Sequence, residues 1–279
     1  EEFYDYTNAI EYAIYGYQLS LLKDKRSSWE YCESLRCISG IYKYIPDSVH
    51  RAIELAEQSL KIVKKIKGQN SIDYALYLSL TADCYNVVGN NKKVVQYKSE
   101  AVQILKRINP YSDDYLNVLG GLLSAYTTEN DYSSALDCAR ELCVYSKHSP
   151  EQYCLALNQY SDLCIDMGDK TKAEELSIEI ISIQEKYDLY TEEYWNAIGR
   201  LRALKKSDDP EFMRLFYKQL DFISKYKESS SFDKLTYISM LYAIAWTLYN
   251  YGDEGGALKI YHEIISICNG LPRRYWILS

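Results

Sequence analysis

The chain has 279 residues, 47% of them hydrophobic and 25% charged, enough for one sizeable solenoid or two compact domains and without the bias of a disordered or collagen-like chain. Its formal net charge of −7 argues against a nucleic-acid partner, which calls for an excess of basic charge. No run approaches the ~18 apolar residues of a membrane span, and no signal-peptide pattern opens the sequence.

The first stretch, 1–27, predicts a helix and a loop. Phe3, Ile10, Ile14, Tyr17 and Leu21 follow one face of a helical pattern over 1–22, which reads as an N-terminal cap or the second half of a divided repeat. Because the chain opens at Glu1 and not at Met, a trimmed or processed start is expected. Lys23 to Ser28 is a polar loop in which Ser27 or Ser28 can cap the next helix.

From 28 to 270 one pattern recurs six times, over 28–69, 70–109, 110–148, 149–189, 190–229 and 230–270. Each unit predicts two amphipathic helices joined by a tight turn, with a period near forty residues. The turn falls at Asp47, Gly89, Asn130, Gly168, Asp208 and Gly252, most of them residue types that tolerate the left-handed conformation ending a helix. Five positions later stand Ala52, Val94, Ala135, Ala173, Met213 and Ala257, mostly small. Before the turn, Ala82, Leu123, Ser161, Leu201 and Ala245 share one register, and Tyr85, Tyr126, Cys164, Leu204 and Leu248 another. Two antiparallel helices approach closely only where one offers a small side chain, and a large neighbour then fills the hollow beside it. No pair buries its apolar face alone, so the pairs are expected to stack. All five prolines fall at predicted joints: Pro46 and Pro210 in turns within units, Pro110, Pro150 and Pro272 between units or after the last.

This series resembles the tetratricopeptide repeat. DMGDKTKAEEL (Asp166 to Leu176), ENDYSSALDCA (Glu129 to Ala139) and NYGDEGGALKIY (Asn250 to Tyr261) are similar to its helix–turn–helix centre. The period exceeds the ~34 residues of the common form and is nearer the longer variety found in kinesin light chains. The resemblance covers roughly 28–270 and is weakest in the fifth unit. It implies an all-α fold, a right-handed superhelix of about six helix pairs, with a concave face that binds peptides or protein segments.

In that family the first helix of each pair lines the inner surface. The resemblance therefore makes residues off the packing stripe of those helices the candidates: Ser79, Asp83 and Asn86 in the second unit, Gly120 and Ser124 in the third, Asn158 and Asp162 in the fourth. The fifth offers Arg202 and Lys205, and the sixth Tyr242, Trp246, Tyr249 and Asn250. The aromatic cluster of the sixth unit reads either as a shelf for an apolar peptide side chain or as packing between helices. Arg200, Arg202, Lys205 and Lys206 read either as a patch for an acidic partner or as drift on a solvated helix. Some relatives clamp a C-terminal carboxylate with Lys, Asn and Arg; Arg36 with Gly40, Leu80, and Asn117 with Gly121 do not reproduce that set, which disfavours a chaperone-tail receptor.

The remaining features point away from chemistry. There is no phosphate loop, nucleophile elbow or H-E-x-x-H, and Asp113–Asp114 and Asp208–Asp209 read as helix-start residues. Cys32, Cys37, Cys84, Cys138, Cys143, Cys154, Cys164 and Cys268 form no C-x-x-C pair and read as buried free thiols of a cytoplasmic protein. Lys61, Lys64, Lys65 and Lys67, with Lys92 and Lys93, read as helix ends where cations complement the dipole. Thirty tyrosines reflect codon bias and the repeat's aromatic positions, or a tyrosine-rich binding surface. Trp276, Ile277 and Leu278 in the tail 271–279 make a poor cap, so further repeats or another domain are expected to follow.

The expected function is thus a scaffold without catalysis, cofactor or metal that binds a peptide or protein partner, with no nucleic acid and no membrane span. Exposed terminal repeats leave homo-oligomerisation open. The alternative is a sensor or recruitment segment of a larger regulator whose protease, kinase or DNA-binding effector lies elsewhere.

Overall fold

The computed structural model describes residues 14–18, 28–45, 47–189, 191–206, 209–227 and 233–269. Among them the regular structure is helical throughout, without a strand. Of the N-terminal helix only 14–18 is described, and it is helical; the tail expectation at 271–279 lies outside the described residues. Among the described residues no helix is long and apolar enough to cross a membrane.

The chain divides into two compact units, Glu1–Leu163 and Cys164–Ser279. The first holds α1 (Trp29–Tyr42), α2 (Val49–Lys67), α3 (Ile72–Val87), α4 (Asn91–Ile108), α5 (Asp113–Thr128), α6 (Tyr132–Tyr145) and most of α7 (Pro150–Asp166). In it the helices from α1 to α6 pack each on the next, and the first helices α1 and α3 of successive pairs also touch. The second holds α8 (Lys170–Tyr187), α9 (Glu192–Ala203), α10 (Pro210–Tyr226), α11 (Lys234–Asn250) and α12 (Glu254–Asn269), again each against the next.

The turns show why the chain reverses where it does. Asp47, Gly89, Asn130, Gly168 and Gly252 all adopt positive φ, between 60° and 82°. Asp208, the sixth turn residue, lies outside the described residues. A left-handed residue halts one helix, and at four of these turns the next residue caps the following one. Asn90, Asp131, Asp169 and Asp253 each accept a hydrogen bond from the backbone N–H three residues on. The first helices α1, α3 and α5 use serine instead: Ser28, Ser71 and Ser112 accept from the N–H groups of Tyr31, Tyr74 and Tyr115.

The small recurring positions are the packing seam. Ala52, Ala135 and Ala173 are fully buried, as are Ala82, Ser161 and Ala245, while Val94 and Ala257 are nearly so. Met213, in the divergent fifth pair, is only half-buried. The tyrosines that head the first helices are buried too, and each hydroxyl reaches a second helix. Tyr74 donates to Glu100 at 3.2 Å and Tyr237 to Glu263 at 3.1 Å, both 26 residues apart. Tyr115 donates to Glu141 at the same spacing, and Tyr31 accepts from Gln58 Nε2 at 2.9 Å. Part of the tyrosine excess is therefore a repeated clasp between the two helices of a pair.

Two expectations need correction. Lys64, Lys65 and Lys67 do sit in the last turn of α2, but Lys92 and Lys93 fall in the first turn of α4, where the dipole opposes a cation. Lys93 instead lies over the Tyr97 ring, 5.4 Å from its centroid. All eight cysteines are free, yet only Cys32, Cys84, Cys138, Cys154 and Cys164 are buried; Cys37 is exposed and Cys143 and Cys268 are half-buried. Burial pushes the Cys138 thiol up to about 12 and that of Cys164 to about 11. Thiolate, not thiol, reacts. Iodoacetamide should accordingly label Cys37 of the native protein rapidly and leave the five buried thiols untouched until denaturant is added, which peptide mass spectrometry would read.

Candidate cleft between α3 and α5

Helices α3 and α5 leave an open cleft of about 340 Å³ between them. Leu76, Ser79, Leu80 and Asp83 line it from α3, and Asp114, Asn117 and Val118 from α5. Its floor is Lys98, reaching in from α4.

Lys98 is the anomaly from which the site is built. It lies between Val94 and Ala101 on the apolar stripe of α4, where the equivalent residues of the first, third and fourth pairs are Ala56, Ala139 and Ser177, all fully buried, while the fifth and sixth carry the exposed Tyr217 and half-buried Tyr261. Lys98 is buried as well, only 7% exposed. Its ammonium forms an ion pair with Asp83 Oδ1 at 2.9 Å and donates to Ser79 Oγ at 3.3 Å. A charge in such a place is tolerated only when paired and hydrogen-bonded. Room for it comes from Gly121 of α5: a Cβ there would stand 2.8 Å from Lys98 Nζ and 3.0 Å from Cε. Glycine inside a helix costs about 1 kcal/mol against alanine, and here the missing methyl is what admits the lysine.

The candidates named from sequence are placed as follows. Ser79 and Asp83 line the cleft, the Asp83 side chain 41% exposed; Asn86 is exposed one turn further along α3. Ser124 is exposed on α5. Gly120 is a correction: it is buried against α7, where a Cβ would meet Gln159 Oε1 at 2.9 Å, so it belongs to the seam between first helices. On α7, Asn158 Nδ2 donates to Asp162 Oδ2 at 3.4 Å. The cleft unites only two of these candidates, Ser79 and Asp83; its Lys98, Asp114 and Asn117 were not among them.

In the second unit the basic residues are largely engaged within the fold. Lys205 pairs with Glu174 at 3.0 Å, and Arg200 Nε donates to Ser177 Oγ at 3.2 Å. The Arg202 guanidinium lies over the Phe212 and Phe216 rings, at 5.4 and 5.5 Å, and burial draws its pKa below the ordinary arginine value. The aromatic residues of α11 differ. Tyr242, Trp246 and Tyr249 are 56%, 58% and 59% exposed, although Tyr242 makes an edge contact with Tyr261, and Asn250 Nδ2 donates to the Trp246 carbonyl. Packing between helices therefore does not account for most of their surface.

No family model matches the sequence, and no curated protein matches it. Solved structures do resemble it. The tetratricopeptide-repeat-sensor STAND signal-transduction ATPase of Pyrococcus horikoshii is similar at a TM-score of 0.59 and 14% identity, over 92% of this chain and 40% of that one. BtubC (BKLC) of P. vanneervenii gives 0.52 and 12%, over 96% and 93%. A putative kinesin light chain of Podosopora anserina with TPR-like repeats gives 0.50 and 15%, over 86% and 96%. At these identities the likeness establishes the fold, an all-α tetratricopeptide-like helical repeat.

Proposed function

We propose, from the premise that this is a tetratricopeptide-like repeat protein, that it is a non-catalytic scaffold holding a peptide or protein segment along its first helices. The observation that carries this reading is the α3–α5 cleft, open to solvent, apolar at Leu76 and Leu80 and polar at Ser79, Asp83, Asp114 and Asn117. Such a mixture of apolar walls with a few convergent polar groups suits an extended segment. Asn86, Ser124, Asn158 and Asp162 extend the contact surface in the first unit. In the second, Tyr242, Trp246 and Tyr249, with Asn250 beside them, offer aromatic contact area at low entropic cost, while Arg202 and Lys205, engaged by Phe212, Phe216 and Glu174, contribute less. Eight free cysteines favour a reducing, cytoplasmic setting.

The test is selection of displayed random octapeptides on the protein, followed by rebinding to Leu76→Arg and Asn117→Arg variants. Both positions line the cleft without filling the core, so the fold should persist by circular dichroism while selected peptides lose at least about tenfold in affinity. Peptides that bind both variants unchanged would exclude the cleft. A second reading, a sensing segment of a larger regulator, is favoured by the likeness to the P. horikoshii protein, of which the matched part is 40%. The length of the full reading frame separates the two.

A further inference from the structure

We infer that the α3–α5 cleft takes a cationic side chain, an arginine or lysine of the bound segment, between Asp114 and the free oxygen of Asp83. This deepens the peptide-binding reading and rests on it. The argument begins with charge. The cleft holds two carboxylates and one ammonium, a net of −1, and the ammonium already engages two of its three donors. Lys98 spends two donors on Asp83 Oδ1 and Ser79 Oγ, which leaves Asp83, a lining residue of the cleft, with its Oδ2 free of a hydrogen-bond partner among the described residues. Asp114 has neither an ion pair nor a hydrogen bond there.

An incoming carboxylate would meet Lys98 only by coming up against Asp83, its existing partner, and Asp114 would repel it further. An incoming cation meets the opposite balance: two carboxylates attract it, and Lys98 offsets only one of them. The walls fit the rest of such a side chain. Leu76, 37% exposed, with Leu80 and Val118, offers apolar surface for the methylene stem of arginine or lysine. Lys98 is a positioning residue in this scheme: buried and admitted by the clearance at Gly121, it holds Asp83 by Oδ1 and leaves Oδ2 for the incoming cation.

Two measurements test it together. Octapeptides selected on the wild type should share a basic residue at one position; replacing a shared arginine by citrulline should weaken binding about tenfold, and Asp114→Lys should erase that difference. N-acetyl-arginine amide should shift the Asn117 side-chain amide and the Gly121 N–H in NMR titration, whereas N-acetyl-citrulline amide should not. Selected peptides without a shared basic residue, or with a shared acidic one, overturn the cationic preference and leave peptide binding standing. If no peptide is selected, the scaffold reading falls; the amide titration then decides alone, groove shifts supporting the cation site and their absence overturning it. Asp114 makes no side-chain hydrogen bond or ion pair among the described residues, so Asp114→Lys costs only the favourable first-turn charge of α5, and circular dichroism of the variant separates lost recognition from lost folding.

Discussion

Asp83→Ala should destabilise the first unit by about 2–3 kcal/mol, whereas Lys98→Met should cost less than about 1 kcal/mol. The two substitutions break the same ion pair, but they leave different orphans. Without Asp83, an ammonium 7% exposed keeps only the Ser79 hydroxyl, at 3.3 Å. Removing one partner of a fully buried pair costs about 3–5 kcal/mol; the 41% exposure of Asp83 puts this pair below that range. Without Lys98, by contrast, the remaining carboxylate reaches water, and an unbranched methionine fills most of the lysine's volume. Urea denaturation of both variants reads the asymmetry. Equal losses would mean that Lys98 is not buried as described, and the clearance at Gly121 would lose its explanation.

Tyr115→Phe should cost about 1.5–2 kcal/mol, among the larger effects available from the removal of one oxygen. The Tyr115 ring is fully buried and its hydroxyl donates to Glu141, whose carboxylate also pairs with Lys106 at 2.5 Å. Hydrogen bonds to an ionised acceptor are the strong kind. The same clasp predicts an alkaline transition. Burial first, then the neighbouring Glu100 or Glu263, pushes Tyr74 and Tyr237 up to about 12 from an ordinary 10.0. A phenol whose folded pKa is raised contributes stability that is complete below pH 10 and lost as pH climbs from there through about 12. Melting temperature should therefore hold to pH 10 and then fall, and a Tyr74→Phe, Tyr237→Phe double variant should flatten that fall.

The repeat was legible because its signal is geometric and redundant. A small residue five positions past most turns (Ala52, Ala135, Ala173, Ala257), and Gly, Asn or Asp at the turn itself, are demands of close approach and positive φ that few residue types meet. That is why Gly89, Asn130, Gly168 and Gly252 could be placed in advance, and why each proves left-handed. The cleft was less legible because it depends on an exception. Lys98 interrupts an apolar stripe, and Gly121 faces it from the next pair; each looks unremarkable alone. Together they form a readable signature, a charge on a buried register opposite a helical glycine. Gly120 misled for the complementary reason, since adjacent helical positions point about 100° apart and only one of the two glycines faces α4. In the fifth pair, the cations that looked like a patch are drawn inward by Glu174, Ser177 and two phenylalanines, contacts that helical periodicity alone does not reveal.

What matters most is where a bound segment lies. Backbone and side-chain NMR of the protein with its best selected octapeptide would answer directly: perturbations should concentrate at Ser79, Asp83, Lys98, Asp114 and Asn117. Perturbations confined to the outward surfaces of α2, α4 and α6, with those five resonances unmoved, would contradict the assignment of the α3–α5 cleft as the binding site.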